Sequence, residues 1–281
     1  MRSQDTVQRK KPSEKFVAAE DSFMTRPQRP PEISTMKRFI ILLYGMGCYA
    51  ISVLTLLYAI GFLTNQFVPK SIDAPVTKAP AEAFFINLGL LSLFAVQHSV
   101  MARPFFKLWC LQWIPAAAER SSYVLLSSGA LLLLFQTWQP IGGIIWQIDS
   151  LFGQISLWTL NALGWITIVI TTVLIHHAEM FGLRQAWLFW QAKPHTALHF
   201  TTPGFYQWVR HPLYVGWLLV FWAAPTMTTS RLMFASLLTV YILAAIRWEE
   251  KDLVDVHGAS YEQYQRRVPM LLPGRRKSDL W

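Results

Sequence analysis

The chain has 281 residues, of which 53% are hydrophobic and 14% aromatic, with only 15% charged and a mean hydropathy of +0.30. Soluble domains carry about 25% charged residues, and several apolar runs here reach the roughly 20 residues that a bilayer crossing needs. A polytopic membrane protein is therefore expected, and a soluble enzyme is excluded. The net charge of +9 owes much to the two tails, where the positive-inside bias explains it, so it is no nucleic-acid footprint.

In chain order, residues 1–35 form a polar tail rich in Pro, Lys and Arg with no apolar period, expected to be disordered. It lacks the layout of a cleaved signal peptide. Because Met36-Lys37-Arg38 leads straight into an apolar run, the tail reads either as an extended N-terminus or as a short cytoplasmic basic segment. A membrane domain of about six spans follows over residues 36–273, with a short tail at 274–281. The predicted spans are Phe39–Leu63, Phe84–Met101, Ser121–Trp138, Leu157–Ile175, Leu213–Thr226 and Leu232–Trp248. This makes the fold class all-α, a polytopic bundle closed by a C-terminal helical hairpin.

Between the spans, Ala102–Glu119 mixes Arg103, Lys107 and several Trp with apolar residues, the pattern of an interfacial connection. Pro140–Ser156 reads as a loop with an apolar middle lying on the bilayer surface. Ala178–Phe205 reads as a long loop whose Trp187, Phe189 and Trp190 belong at headgroup depth. The PTMTTSR turn joins the last two spans. Beyond the sixth, Gly258 is a plausible helix cap, and a short helix through Tyr261, Tyr264 and Arg266 ends before Pro269. Counting Lys and Arg near span ends places both termini and the Arg210 loop on the cytoplasmic side.

Charged side chains abut both ends of the last apolar hairpin: Arg210 and His211 before it, Glu249 and Glu250 after it. Charge at a bilayer edge is costly unless solvated or paired, so these residues are functional candidates. A hairpin returns them to one face, where Tyr206 and Tyr214 flank the turn and Pro212 holds His211 extended. Headgroup anchoring and a solvated helix end are the plain alternatives for any one of them. His98, with Ser99 and Arg103 at the end of its span, is either a base or a polar helix-end contact. The adjacent His176 and His177 point to different faces of a helix, and no His or Cys spacing fits a metal site, so none is expected. Cys48 and Cys110 read as structural thiols, and Gly216 reads as a helix-packing position.

RHPLYVG at 210–216, the Glu249-Glu250 pair, G-x-x-Y-x-x-Y from Gly258 and Val268-Pro269 resemble the isoprenylcysteine carboxyl methyltransferase superfamily, which includes phospholipid methyltransferases. Together with MKRFIILLYG, QHSVMARPFFK and ERSSYVLLSS, they resemble its thiol-methylating branch, the methanethiol S-methyltransferases, over Met36–Pro273. The resemblance implies S-adenosylmethionine as methyl donor, bound at a cytoplasmic pocket by Tyr206, Arg210, His211, Pro212, Tyr214, Glu249 and Glu250. His98 and Tyr214 are its catalytic candidates, with methanethiol converted to dimethyl sulfide in the membrane. A bacterial inner-membrane location follows from the same likeness. A further upstream contact is only loosely echoed by His199-Phe200-Thr201-Thr202. Methylation of an isoprenoid or phospholipid is the alternative within the superfamily; a sterol-type reductase and a transporter are the rivals outside it. The chain is short for such a reductase, and it shows no second copy of the RHP and Glu-Glu pattern that a repeat-built transporter would carry.

Overall fold

A computed structural model describes residues 34–196 and 201–274. The N-terminal tail, apart from Ser34 and Thr35, and the tail from residue 275 lie outside the described residues, as do His199 and Phe200. The described chain is mostly helical. Its elements are α1 (Thr35–Thr64), α2 (Pro80–Met101), α3 (Pro104–Cys110), α4 (Ala116–Thr137), β1 (Ile144–Gln147), α5 (Leu151–Leu174), α6 (His177–Met180) and α7 (Leu183–Trp190). After a 3-10 turn (Gly204–Gln207) come α8 (Pro212–Trp222), β2 (Thr226–Thr228), α9 (Thr229–His257) and α10 (Ala259–Arg267).

Four of these, α1, α2, α5 and α9, are long and apolar enough to cross a bilayer. Their outward faces carry exposed Leu54, Val96 and Val169, side chains that a lipid solvent accommodates and water does not. The protein is therefore a membrane protein. Helix α4 has the same 22 residues as α2 but is less apolar, because Glu119, Arg120 and two Ser-Ser pairs interrupt it.

Three expectations need correction. The fifth predicted span is a helix of only 11 residues, rising about 16 Å, roughly half of a 30 Å hydrocarbon core. It stops because Pro225 lacks an N–H and disfavours helical geometry at Ala224. The connection to α9 is then not a simple turn: Thr226–Thr228 pairs antiparallel with Ile144–Gln147, so the fold is not purely α, and the 140–156 segment is no plain loop but holds the exposed strand β1 and the start of α5. Lastly, the 178–205 segment contains α7, which packs on α1 and α4. Its start is fixed by Gly182 at φ 81°, where an added Cβ would lie 2.6 Å from the Ser121 nitrogen.

Packing follows the small residues. Helices α5 and α8 cross at Gly164 and Gly216, where a Cβ on Gly216 would sit 2.8 Å from Ile168 Cγ1 and 2.9 Å from the Gly164 carbonyl. Gly216 is thus the packing position the sequence suggested. Helix α9 lies against α8 and α2, and α4 lies between α1 and α2. At one end of the bundle, Phe62, Phe135, Trp138, Phe221 and Phe234 form an aromatic core. There Arg231 is 7% exposed and reaches Asp73 at 2.7 Å and the Leu63 carbonyl at 2.5 Å, while Thr228 donates to the same Asp73. The start of α9 is thereby tied to the loop after α1. The opposite end of the bundle carries the RHP turn.

Candidate functional site

The turn before α8 is built by proline at both sides. Pro212 opens α8 at the first helical position, where a missing N–H costs nothing, and His211 ahead of it is held at φ −124°. Main-chain N–H groups of Arg210 and His211 donate to the carbonyls of Pro269 and Met270 at 2.9 and 3.2 Å. The segment after α10 is in this way stitched to the turn.

Arg210, His211, Glu249 and Glu250 meet on one face, as do Tyr206 and Tyr214. The two acids differ in their surroundings. Glu250 is half-buried: its Oε1 accepts from Arg210 Nε at 2.6 Å and lies 3.0 Å from His211 Nε2, while Oε2 accepts from Gln265 at 3.1 Å. Glu249 is 46% exposed, accepts from the Tyr214 hydroxyl at 3.0 Å, and stands 3.8 Å from His211 Nδ1. Arg210 also gives Nη1 to the carbonyls of Gln265 and Val268, at 3.0 and 2.7 Å. Two of its guanidinium nitrogens are therefore engaged by the protein. Tyr264, whose hydroxyl burial pushes up to about 12, donates to the Tyr206 carbonyl at 2.6 Å. Burial first, and then the charge of Glu249, raises the Tyr206 hydroxyl above the ordinary phenol range, so it remains a donor. A cavity of about 830 Å3 lies beside this cluster; Arg210 lines it with Gln265, Arg266 and Val268. Of the predicted site residues, it touches Arg210 alone.

His98 sits at the same end, across α9, in a group of its own. The Tyr123 hydroxyl is 3.0 and 2.9 Å from its two ring nitrogens, and Ser127 Oγ is 3.2 Å from Nδ1. Phe94 stacks on its ring at 5.3 Å. Gln97 donates to Ser127 at 3.3 Å, yet its own Oε1 is buried with no hydrogen-bond partner among the described residues. The Ser99 hydroxyl pairs with Tyr241 at 3.0 Å. Sequence reading did not single out Gln97, Tyr123, Ser127 or Tyr241. Tyr123 and Ser127 lie four apart on one face of α4, but the charged pair and the Ser-Ser pairs of the same helix give the sequence no reason to prefer them.

His177, by contrast, takes no part in either group. Its Nε2 pairs with Tyr49 at 3.0 Å and its Nδ1 with Thr172 at 3.0 Å. His176, at φ 67°, ends α5 instead.

A helical membrane protein that gathers a half-exposed carboxylate, tyrosine hydroxyls and a histidine at one end of its bundle has the makings of a membrane-embedded transferase. The comparisons narrow that class. A family model described as a protein of unknown function (DUF1295) matches residues 134–268. The chain is 54% identical over 240 residues to a methanethiol S-methyltransferase of Crocosphaera subtropica, covering 85% of this chain and 94% of that one. It is 44% identical over 238 residues to the Mycobacterium tuberculosis protein of the same name, covering 85% and 98%. Nurim from Sus scrofa is 30% identical over 193 residues, covering 66% of this chain and 72% of its own. No solved structure matches. The chain belongs to the methanethiol S-methyltransferase family.

Proposed function

We propose that the protein transfers a methyl group from S-adenosylmethionine to methanethiol, with dimethyl sulfide, S-adenosylhomocysteine and a proton as products. The observation that supports this best is the pair of polar groups at one end of the bundle: Glu249 with Tyr214 in one, and His98 with Tyr123 in the other. The names of the relatives point to the same acceptor.

The residues suit both reactants. S-adenosylmethionine carries an ammonium and ribose hydroxyls, and Glu249 is an acceptor with accessible oxygens. Gln97 Oε1 is a buried carbonyl in need of a donor, which a thiol S–H supplies on the acceptor side. When bound, the donor supplies an electrophilic methyl on a cationic sulfonium. Glu249, Tyr206 and Tyr214 would hold it at the cytoplasmic end of the bundle, with His211 and Pro212 shaping the turn. Arg210 and Glu250 act mainly on the protein, fastening α10 and the segment 268–270 over the turn. The Nη2 edge of Arg210, which lines the cavity beside the cluster, would take the anionic end of the donor.

The protein's work is alignment and exclusion of water, worth several powers of ten in rate. A thiol attacks as thiolate, with an unperturbed pKa of about 8.5. His98 takes its proton by way of the Tyr123 hydroxyl, which lies 2.9 Å from Nε2, with Ser127 Oγ 3.2 Å from Nδ1. The pocket is cytoplasmic, both termini lie inside, and the protein resides in a bacterial inner membrane. The tail 1–35, the membrane domain 36–273 and the tail 274–281 are the functional divisions.

Cells expressing the gene and fed methanethiol should release dimethyl sulfide, read by headspace gas chromatography. Release no higher than in empty-vector cells, with inserted protein that binds S-adenosylmethionine, would remove this acceptor and leave an isoprenoid or phospholipid in its place.

A further inference from the structure

Helices α2 and α9 meet along a seam that is closed by side chains rather than by backbone contact. Ring contact between Phe94 and Tyr241, at 6.4 Å and 70°, forms its inner rung. The hydrogen bond of 3.0 Å between Ser99 and Tyr241 fixes the orientation of the tyrosine ring. Farther out, Arg103 bridges to Asp252 at 2.7 Å and lies over the Trp248 ring at 5.8 Å. On either side of the seam the helices turn lipid-facing residues outward: Leu93 and Val96 on α2, Val240 and Leu243 on α9, all exposed. The seam is thus a boundary between the bilayer and the group around His98. Phe94 touches both, since the ring that meets Tyr241 also stacks on His98.

Resting on the proposed thiol methylation, we infer that Tyr241 and Phe94 set the size of the acceptor. An apolar thiol dissolved in the bilayer reaches His98 between these two rings. Methanethiol has a single carbon and fits behind them, whereas a longer alkyl chain must displace the Tyr241 ring and break its bond to Ser99. Neither residue exchanges a proton or touches the donor in this account; both act on specificity. Removing the ring at 241 opens the seam, whereas removing only its hydroxyl frees the ring from Ser99 and loosens the seam partway.

The test uses full-length protein in nanodiscs, with thioether products from methanethiol, 1-butanethiol and 1-hexanethiol quantified by mass spectrometry. Tyr241→Ala should raise the ratio of kcat/KM for hexanethiol over methanethiol by about tenfold or more, the scale on which an apolar pocket discriminates chain length. Phe94→Ala should shift it in the same direction, and Tyr241→Phe, which loses only the bond to Ser99, should raise it less than Tyr241→Ala does. S-adenosylmethionine affinity, measured by calorimetry, should be unchanged in all three. An unchanged ratio in both alanine variants, with wild-type donor affinity, overturns the inference while leaving thiol methylation intact. A wild-type protein that methylates none of the thiols overturns the functional reading itself, and this inference with it.

Discussion

At the scale of single residues, Glu249 and Glu250 are neighbours in sequence and opposites in environment. Glu250 and Arg210 are 16% and 12% exposed, and truncating one partner of such a pair strands the other. Glu250→Ala should therefore cost about 3–5 kcal/mol of stability, seen as a lower unfolding temperature in detergent. Glu249→Gln should leave that temperature nearly unchanged and weaken S-adenosylmethionine binding about tenfold, since a hydrogen bond to a charged group is worth roughly 1.5–3 kcal/mol. Equal unfolding temperatures for the two variants would refute this division of labour. A second carboxylate, Glu179, is raised by its burial but drawn down further by Arg184 and His195, for a net value below the ordinary range. A depressed folded value stabilises above the unfolded carboxylate's range, near 4.3, and the benefit is lost as pH falls through the folded value. The stability gap between wild type and Glu179→Gln should be present at neutral pH and close as pH drops below about 4. A gap that widens in acid would reverse the sign of this coupling.

At the scale of elements, the crossing of α5 and α8 makes a contrast between glycines. Gly216→Ala places a methyl against Ile168 and the Gly164 carbonyl and should destabilise by about 1–3 kcal/mol. Gly129, on α4, has nothing within 4 Å of an added Cβ. Gly129→Ala should be neutral or stabilising by about 0.5–1 kcal/mol. Thermal unfolding of the two variants side by side checks the pair. Apolar runs without competing signals, such as Phe39–Leu63, were legible in the sequence because length and hydropathy alone define them. The short α8 was harder to read: Trp222-Ala223-Ala224 is apolar, and hydropathy does not register that Pro225 ends the helix. The β ribbon was invisible for another reason, because Ile144–Gln147 and Thr226–Thr228 pair across 80 residues of chain. Within the site, Arg210, His211 and the two acids were legible because charge is rare at a span end. Tyr123, Tyr241 and Gln97 were not, since an uncharged polar side chain in a helix is unremarkable until its neighbours across the bundle are known.

For the molecule as a whole, the two ends of the bundle hold different ion pairs, both largely withdrawn from solvent, Arg231 with Asp73 at one and Arg210 with Glu250 at the other. Asp73→Ala releases Arg231, Thr228 and Asn65 at once and should destabilise by about 3–5 kcal/mol. Donor affinity per folded molecule should not change, because the site lies at the far end. Loss of affinity in a fully folded Asp73→Ala protein would show that the two ends are coupled. The proposed orientation has its own check. A cysteine introduced at Asp149 should react with a membrane-impermeant maleimide in intact cells, and one at Glu262 only after permeabilisation. Labelling in the reverse pattern would invert the topology.

The stitching of the RHP turn to the segment after α10 also sets an order of events during synthesis. Arg210 leaves the ribosome 55 residues before Gln265, whose carbonyl it binds, and all of α9 must enter the bilayer in between. A nascent chain that has inserted α8 and α9 but not yet released residues 265–270 has its Glu249 and Tyr214 in place without the fastening above them. Chains stalled at that point should be integrated and protease-resistant in the membrane yet unable to hold S-adenosylmethionine, so catalytic competence arrives as a late, single event rather than growing span by span.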